Sequence, residues 1–256
     1  MPKWDVAVAT QNPRILYRLV QLLKKLGIRF IICSPEDARC EQSHVIITGP
    51  EEDHENHEGR IAVREDFDVD FVRIAIFAIL NDIKTPSRAY IGIDPGMTSG
   101  VAMTIDGIVV YKSSLASPER IADLCKHLVF YVEELFPGCQ KIIRIGTGSR
   151  LYTALLLRSV FSIDYAFNIE LVNEMHTTII GGARSDESSA ILIAGRNGRA
   201  VSPQDIVLEP KEGYVRSLKQ FVKKLTRGQY VLSSSDAREI LTGEKALEDN
   251  LKVLMS

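Results

Sequence analysis

The stretch RAYIGIDPGMTSGVAMTIDGIVVYKS, Arg88 to Ser113, decides how the rest of the chain is read. Ala89 to Ile93 is a short apolar run closed by Asp94, the pattern of a buried strand that delivers one carboxylate to the edge of a sheet. Pro95 drives the residue before it into extended geometry and Gly96 permits the reversal that follows. Asp94 therefore falls where the strand stops and the turn starts. Gly100 to Ile105 reads as a second strand, and Asp106-Gly107 is the strongest local signal for a tight hairpin into a third, Ile108 to Ser113.

Downstream, Ser117-Pro118-Glu119 opens a helix whose apolar positions Ile121, Leu124, Leu128, Val132 and Leu135 recur at helical spacing, and Pro137-Gly138 ends it. Lys141 to Ile145 reads as a fourth strand, Gly146-Thr147-Gly148 as a turn, Leu151 to Phe161 as a helix and Ile169 to Asn173 as a fifth strand. Gly181-Gly182 loosens the chain before Ser185 caps a helix from Asp186 to Ala194. The order is β-β-β-α-β-α-β-α, which predicts an α/β domain over residues 88–203: a mixed five-stranded sheet with flanking helices.

Residues 1–52 predict a small α/β domain. Asp5 to Ala9 is an apolar strand, Asn12-Pro13 a helix start, and Gly27 the stop of an amphipathic helix carrying Leu16, Leu19, Leu23 and Leu26. Arg29 to Cys33 and His44 to Thr48 are further strands. No glycine-rich phosphate loop follows the first strand, so the Thr10-Gln11-Asn12 turn is a weak phosphate-binding candidate and the unit reads better as a docking or interaction module. Residues 53–87 read as an acidic linker and a connecting helix. Glu51 to Asp70 holds nine acidic residues against Arg60 and Arg64, a solvated composition, and Phe71 to Leu80 is apolar nearly all round.

Residues 204–256 read as a basic helical extension. From Lys211 to Arg227 six cations stand against Glu212, with Val215, Leu218, Val222 and Leu225 on one helical stripe. Arg216, Lys219, Lys223, Lys224 and Arg227 are candidates for contacting phosphates, with an ordinary wet helix face as the plainer alternative. Ser235 to Leu241 and Glu244 to Leu254 predict two short helices.

The 256 residues carry a net charge of −2, with 45% hydrophobic and 25% charged residues, so no global basic field draws polyanions and any such binding must be local. No signal-peptide pattern opens the chain, and no apolar run reaches the roughly 18 residues of a membrane span. A cytoplasmic protein with no membrane contact is expected. Cys33, Cys40, Cys125 and Cys139 lack CxxC spacing and read as reduced structural thiols. Cys33, Cys40, His44, His54 and His57 match no zinc spacing.

The element order with Asp94 on its first strand resembles the ribonuclease H-like superfamily, and IGIDPG together with GGARSDESSAILIA resembles its RuvC branch, the Holliday junction resolvases. The similarity covers about Ala89 to Arg196. It implies a hydrolase of DNA recombination and repair that binds branched or structured DNA, or RNA, and cuts it with Mg²⁺ or Mn²⁺ held by acidic residues. Relatives that cut junctions pair, which brings a homodimer into the expectations. By that resemblance Asp94 corresponds to the first-strand aspartate and Asp186 to the first acid of the last helix, with Glu187 beside it as a further catalytic candidate. Two acids of the pattern are missing: Ile145-Gly146-Thr147 stands at the end of the fourth strand with no acid, and Ser189 stands in place of the second helical aspartate. Glu174, close after the fifth strand, is a candidate substitute metal ligand alongside Asp94 and Asp186. The resemblance with this gap implies a binding protein whose cleavage is weakened or lost.

Two other classes fit parts of the chain. GIDPGMTSG also resembles the first phosphate loop of actin-like ATPases and sugar kinases, with Gly146-Thr147-Gly148 as its second. A non-enzymatic scaffold, holding partners through its outer segments, is the third.

Overall fold

A computed structural model describes residues 3–52, 59–164, 166–174, 185–247 and 249. The chain divides into two compact units, Met1–Pro86 and Ser87–Ser256. Among the described residues no helix is long and apolar enough to cross a membrane.

The first unit runs β1 (Trp4–Ala9), α1 (Pro13–Leu26), β2 (Phe30–Cys33), β3 (Ser43–Thr48), β4 (Arg60–Ala62) and α2 (Val69–Leu80). Asn12 caps α1 by accepting from the Arg14 and Ile15 N–H groups, and Gly27 closes it in the left-handed region at φ 68°. All pairings are parallel, in the order β2-β1-β3-β4. Val6, Val8, Val45 and Ile47 meet Ile15, Leu19 and Leu23 of α1 and Val72 and Ile76 of α2 in one apolar core. At the carboxyl ends of β1 and β3 the Glu52 carboxylate accepts from the Gln11 and Gly49 N–H groups at 2.7 and 2.9 Å.

Two expectations fail in the first unit. The stretch read as linker and connecting helix supplies β4, the fourth strand of the sheet, and α2 covers that sheet within the first unit. Composition misleads because β4 is only three residues long, too short to show strand alternation. The two thiols expected to be reduced, Cys33 and Cys40, form a disulfide: a short 3₁₀ turn over Cys40–Gln42 brings their Cα atoms to 6.1 Å. Cys125 and Cys139 are free and buried. His54 and His57 lie outside the described residues.

The second unit runs β5 (Arg88–Asp94), β6 (Ser99–Ile105), β7 (Ile108–Leu115), α3 (Pro118–Leu135), β8 (Gln140–Gly146), α4 (Arg150–Phe161), β9 (Asn168–Val172), α5 (Asp186–Ala194), β10 (Arg199–Ala200), α6 (Pro203–Ile206), α7 (Glu212–Leu225) and α8 (Ser234–Thr242). The β6–β7 hairpin turns on Asp106 and Gly107, both at positive φ, which suits the right-handed twist of paired strands. The sheet order is β10-β9-β8-β5-β6-β7. β8 and β9 extend the sheet in parallel from β5, while β6, β7 and β10 join antiparallel. The sheet therefore has six strands instead of the expected five, because Arg199 and Ala200 turn back along Leu171 and Glu170.

Helix α5 lies directly on the middle of this sheet, and glycines make the approach possible. A Cβ on Gly92 would stand 2.1 Å from the Ala190 carbonyl oxygen, and one on Gly100 1.9 Å from that of Asp186. Beneath the helix, buried Arg144 donates to the Glu170 carboxylate at 2.7 Å and to the Ala194 carbonyl at 2.8 Å, with its guanidinium 3.9 Å from the Tyr90 ring centroid. The helix is thus held at its carboxyl end and seated on backbone along its length.

The segment expected as an extension is built into the second unit. Leu218, Phe221 and Val222 of α7 and Ile240 and Leu241 of α8 form a core with Leu151, Ala154 and Leu155 of α4. Arg158 of α4 donates to the Ile206 carbonyl at 2.7 Å and the Leu241 carbonyl at 2.8 Å, and also to that of Ile240. The helix expected from Glu244 to Leu254 lies in large part outside the described residues.

Candidate functional site

Asp94 is the last residue of β5 and points to the face that α5 covers, the face of Gly92 two positions earlier. Asp186 opens α5, and Ser189, three positions on, shares its side of the helix. Ser185 caps that helix by accepting from the Ser188 N–H. The seat of α5 on Gly100, the register partner of Asp94, brings the first helical turn to the end of β5.

Glu174 follows β9 by two residues. Its carboxylate accepts from the Gly148 N–H at 2.8 Å, and a Cβ placed on Gly146 would stand 2.1 Å from its Oε1. Gly146 is one step beyond the Ile93–Ile145 pair and so lies alongside Asp94. The carboxylate of Glu174, just past the end of the neighbouring strand, thus occupies the volume that a side chain at 146 would fill.

The electrostatics register the cluster at Asp94, whose carboxyl is pushed from its ordinary value of 3.8 up to about 6. Burial is the largest cause, and the negative charges of Glu174 and then Asp186 add to it. A hydrogen bond from the Ser189 hydroxyl opposes the rise. At the position where the resemblance expects a second helical acid, this chain therefore has a neutral donor to Asp94.

Glu187 is directed elsewhere. Its carboxylate pairs with Lys112 of β7 at 3.0 Å, as expected when neighbouring helix positions point about 100° apart. Gly181 and Gly182 lie outside the described residues. The five cationic candidates ride on α7 or just after it: Arg216, Lys223, Lys224 and Arg227 are exposed, and Lys219 is half-buried and donates to the Ser234 hydroxyl at 3.2 Å. The stripe of Val215, Leu218 and Val222 faces the core, which turns the cations outward.

The donors at Asp94, Asp186, Glu174 and Ser189 are all oxygen, the kind Mg²⁺ and Mn²⁺ prefer, and the repulsion of Glu174 and Asp186 on Asp94 is one that a cation would relieve. Among the described residues, however, no three His, Cys, Asp or Glu side chains are grouped so that they could hold a metal ion. A preformed two-ion cage does not fit these residues. Sequence reasoning missed Ser189 as a partner of Asp94 and Lys112 as the partner of Glu187, and only the helix-to-sheet packing reveals either. The sequence matches no known family model, and no curated protein matches it.

Proposed function

We propose that the second unit is a ribonuclease H-like domain of the RuvC type that binds branched or structured nucleic acid. Its cleavage of phosphodiesters is slow for lack of a complete carboxylate set. The observation that carries this reading is the replacement of the missing acid at Gly146 by the Glu174 carboxylate, beside Asp94 and Asp186. Sheet order supports it: counted within the unit, strands run third, second, first, fourth, fifth, with the first three antiparallel and the last two parallel to the first.

Asp94 and Asp186 are the residues that would hold one divalent ion, with Glu174 adjacent. Such an ion supplies Lewis acidity to the phosphodiester and lowers the pKa of a bound water. The chain's own part is to place the acids: β5 presents Asp94, the glycine seat sets the height of Asp186, and the Gly148 N–H orients Glu174. Ser189 holds the Asp94 carboxyl in one orientation. The outward face of α7 provides Arg216, Lys223, Lys224 and Arg227 for duplex arms, giving a local basic surface on a chain of net charge −2. Cytoplasmic location and pairing of two copies on a symmetric junction belong to the same proposal.

The test offers labelled four-way junctions, duplex DNA and structured RNA to the purified protein with Mg²⁺ or Mn²⁺, beside Asp94→Asn. Junction binding that weakens steeply with salt, and slow nicking absent from Asp94→Asn, is the expected result. Failure to bind any of the three substrates ends the reading, and nicking that persists in Asp94→Asn assigns the cleavage to a contaminant. A nucleotide kinase or ATPase of the actin-like type would instead show a rise in melting temperature with ATP.

A further inference from the structure

Two cavities of the second unit adjoin, with volumes of 520 and 480 Å³, and share Arg150 and Gln204 in their walls. One opens at Thr147, next to the Gly146 and Gly148 positions against which the Glu174 carboxylate lies. The other runs on between α4 and α7 to Lys211 and Tyr214. Together they form a groove whose near wall is Thr147, one residue from the glycines that Glu174 touches, and which leads away along the amino end of α4.

Its lining has a definite chemistry. Arg150 is exposed and, among the described residues, its guanidinium has no hydrogen-bond or ion-pair partner. Lys211 is paired, among the described residues, with Glu209 alone, at 3.1 Å and with both side chains more than two-thirds exposed, a contact that leaves its charge available to a phosphate. Arg199 is already held by Asp205 at 2.6 and 2.8 Å and serves as wall. Tyr214 packs against the α4–α7–α8 core while also lining the cavity, which makes its ring a fixed platform. An unpartnered arginine followed by a braced aromatic is the pattern that takes a phosphate and then stacks a base, and it takes single strands because a duplex buries its base faces. Each volume lies within the range of roughly 300 to 1,000 Å³ that suits small ligands, room for a nucleotide at a time and not for a double helix.

We propose that this groove binds a single-stranded nucleic-acid segment flanking the phosphodiester held at the carboxylates, with a phosphate on Arg150 and a base stacked on Tyr214. The proposal rests on the nucleic-acid reading above and adds to it the form of substrate, one with an unpaired flank. The site would then prefer a junction or duplex carrying a single-stranded arm to the same molecule with blunt ends.

Fluorescence anisotropy tests it with a short labelled oligothymidylate, a four-way junction with and without a single-stranded arm, and a blunt duplex, using wild type, Tyr214→Ala, Tyr214→Phe and Arg150→Ala. Tyr214→Ala is expected to weaken oligothymidylate and armed-junction binding by about tenfold or more, with Tyr214→Phe near wild type and blunt-duplex affinity unchanged. Arg150→Ala, at an exposed position whose loss leaves the fold intact, is expected to weaken the same two ligands and to reduce the salt slope by about one. Wild-type binding to the junction with no loss in either Tyr214→Ala or Arg150→Ala for the single-stranded ligands overturns the groove and leaves the broader reading standing. Wild type that binds none of the four ligands overturns both.

Discussion

At the scale of single residues, the site depends on one substitution by position. Gly146 has no side chain, and Glu174 uses the space. Any Cβ at 146 would meet the Glu174 carboxylate and, at 2.8 Å, the Ile193 side chain. Gly146→Ala is therefore expected to displace Glu174 at a cost of about 1 kcal/mol or less, because the atoms it meets are the ends of flexible side chains, measured by urea unfolding. The pair Gly146→Glu with Glu174→Ala should restore Mn²⁺ binding, followed by calorimetry, that Gly146→Glu alone loses. A second expectation concerns Asp94. Because its carboxyl is raised from 3.8 to about 6, the folded state binds more protons than the unfolded one across that window, so its contribution to stability falls as pH rises through it. Asp94→Asn should therefore stabilise the metal-free protein at pH 8, on the order of 1 to 2 kcal/mol once solvent screening of this half-exposed group is allowed for, and the gain should vanish near pH 4. Equal melting of the two proteins at both pH values would contradict the crowding of charge at this carboxyl. The position of Asp94 at a strand end was legible from Pro95 and Gly96 alone. The relation of Glu174 to Gly146 was not, because it joins neighbouring strands through three dimensions and leaves no spacing in the sequence.

At the scale of elements, glycine placement in β5 and β6 matters more than side-chain packing. Gly92→Ala and Gly100→Ala each push a methyl group into the backbone of α5, where nothing flexible can yield. Each is expected to cost about 1–3 kcal/mol and, on the proposed one-ion site, to weaken Mn²⁺ binding with it, whereas Gly138→Ala, at a positive-φ loop position with open space around it, is expected to cost stability and leave any such binding unchanged. Strand and helix order from β5 to α5 was readable because those elements are long enough to display their period, whereas the two residues of β10 are not. The acidic stretch before it was misread for the opposite reason: three residues of β4 between charged neighbours show no alternation. The Cys33–Cys40 bond escaped notice because a seven-residue separation says nothing of the 3₁₀ turn that closes it. Thiol titration of the denatured protein should count two groups before reduction and four after; four before reduction would remove the disulfide.

At the scale of the whole molecule, two units with separate cores imply that each folds on its own, and Ser87 onward should keep whatever nucleic-acid affinity the full chain has. The tail, by contrast, cannot be dispensed with. Removing residues 204–256 strips the apolar partners from Leu151, Ala154 and Leu155, at a cost of roughly 1.5–3 kcal/mol for each large side chain uncovered. Circular dichroism should show such a truncation melting far below the full chain or not folding cooperatively at all, and an unchanged melting curve would refute the integration of α7 and α8. The amphipathic stripe of α7 was visible in the sequence, but the surface it covers was not, since that surface lies on α4 some sixty residues earlier. Arg158 closes the same seam from the other side. A guanidinium keeps its proton throughout the range in which proteins survive, so these carbonyl contacts are not lost through deprotonation of their donor. Lysine there would keep the charge and lose the fork that grips several carbonyls at once, and α8 would work loose from α4 while the charge count stayed the same.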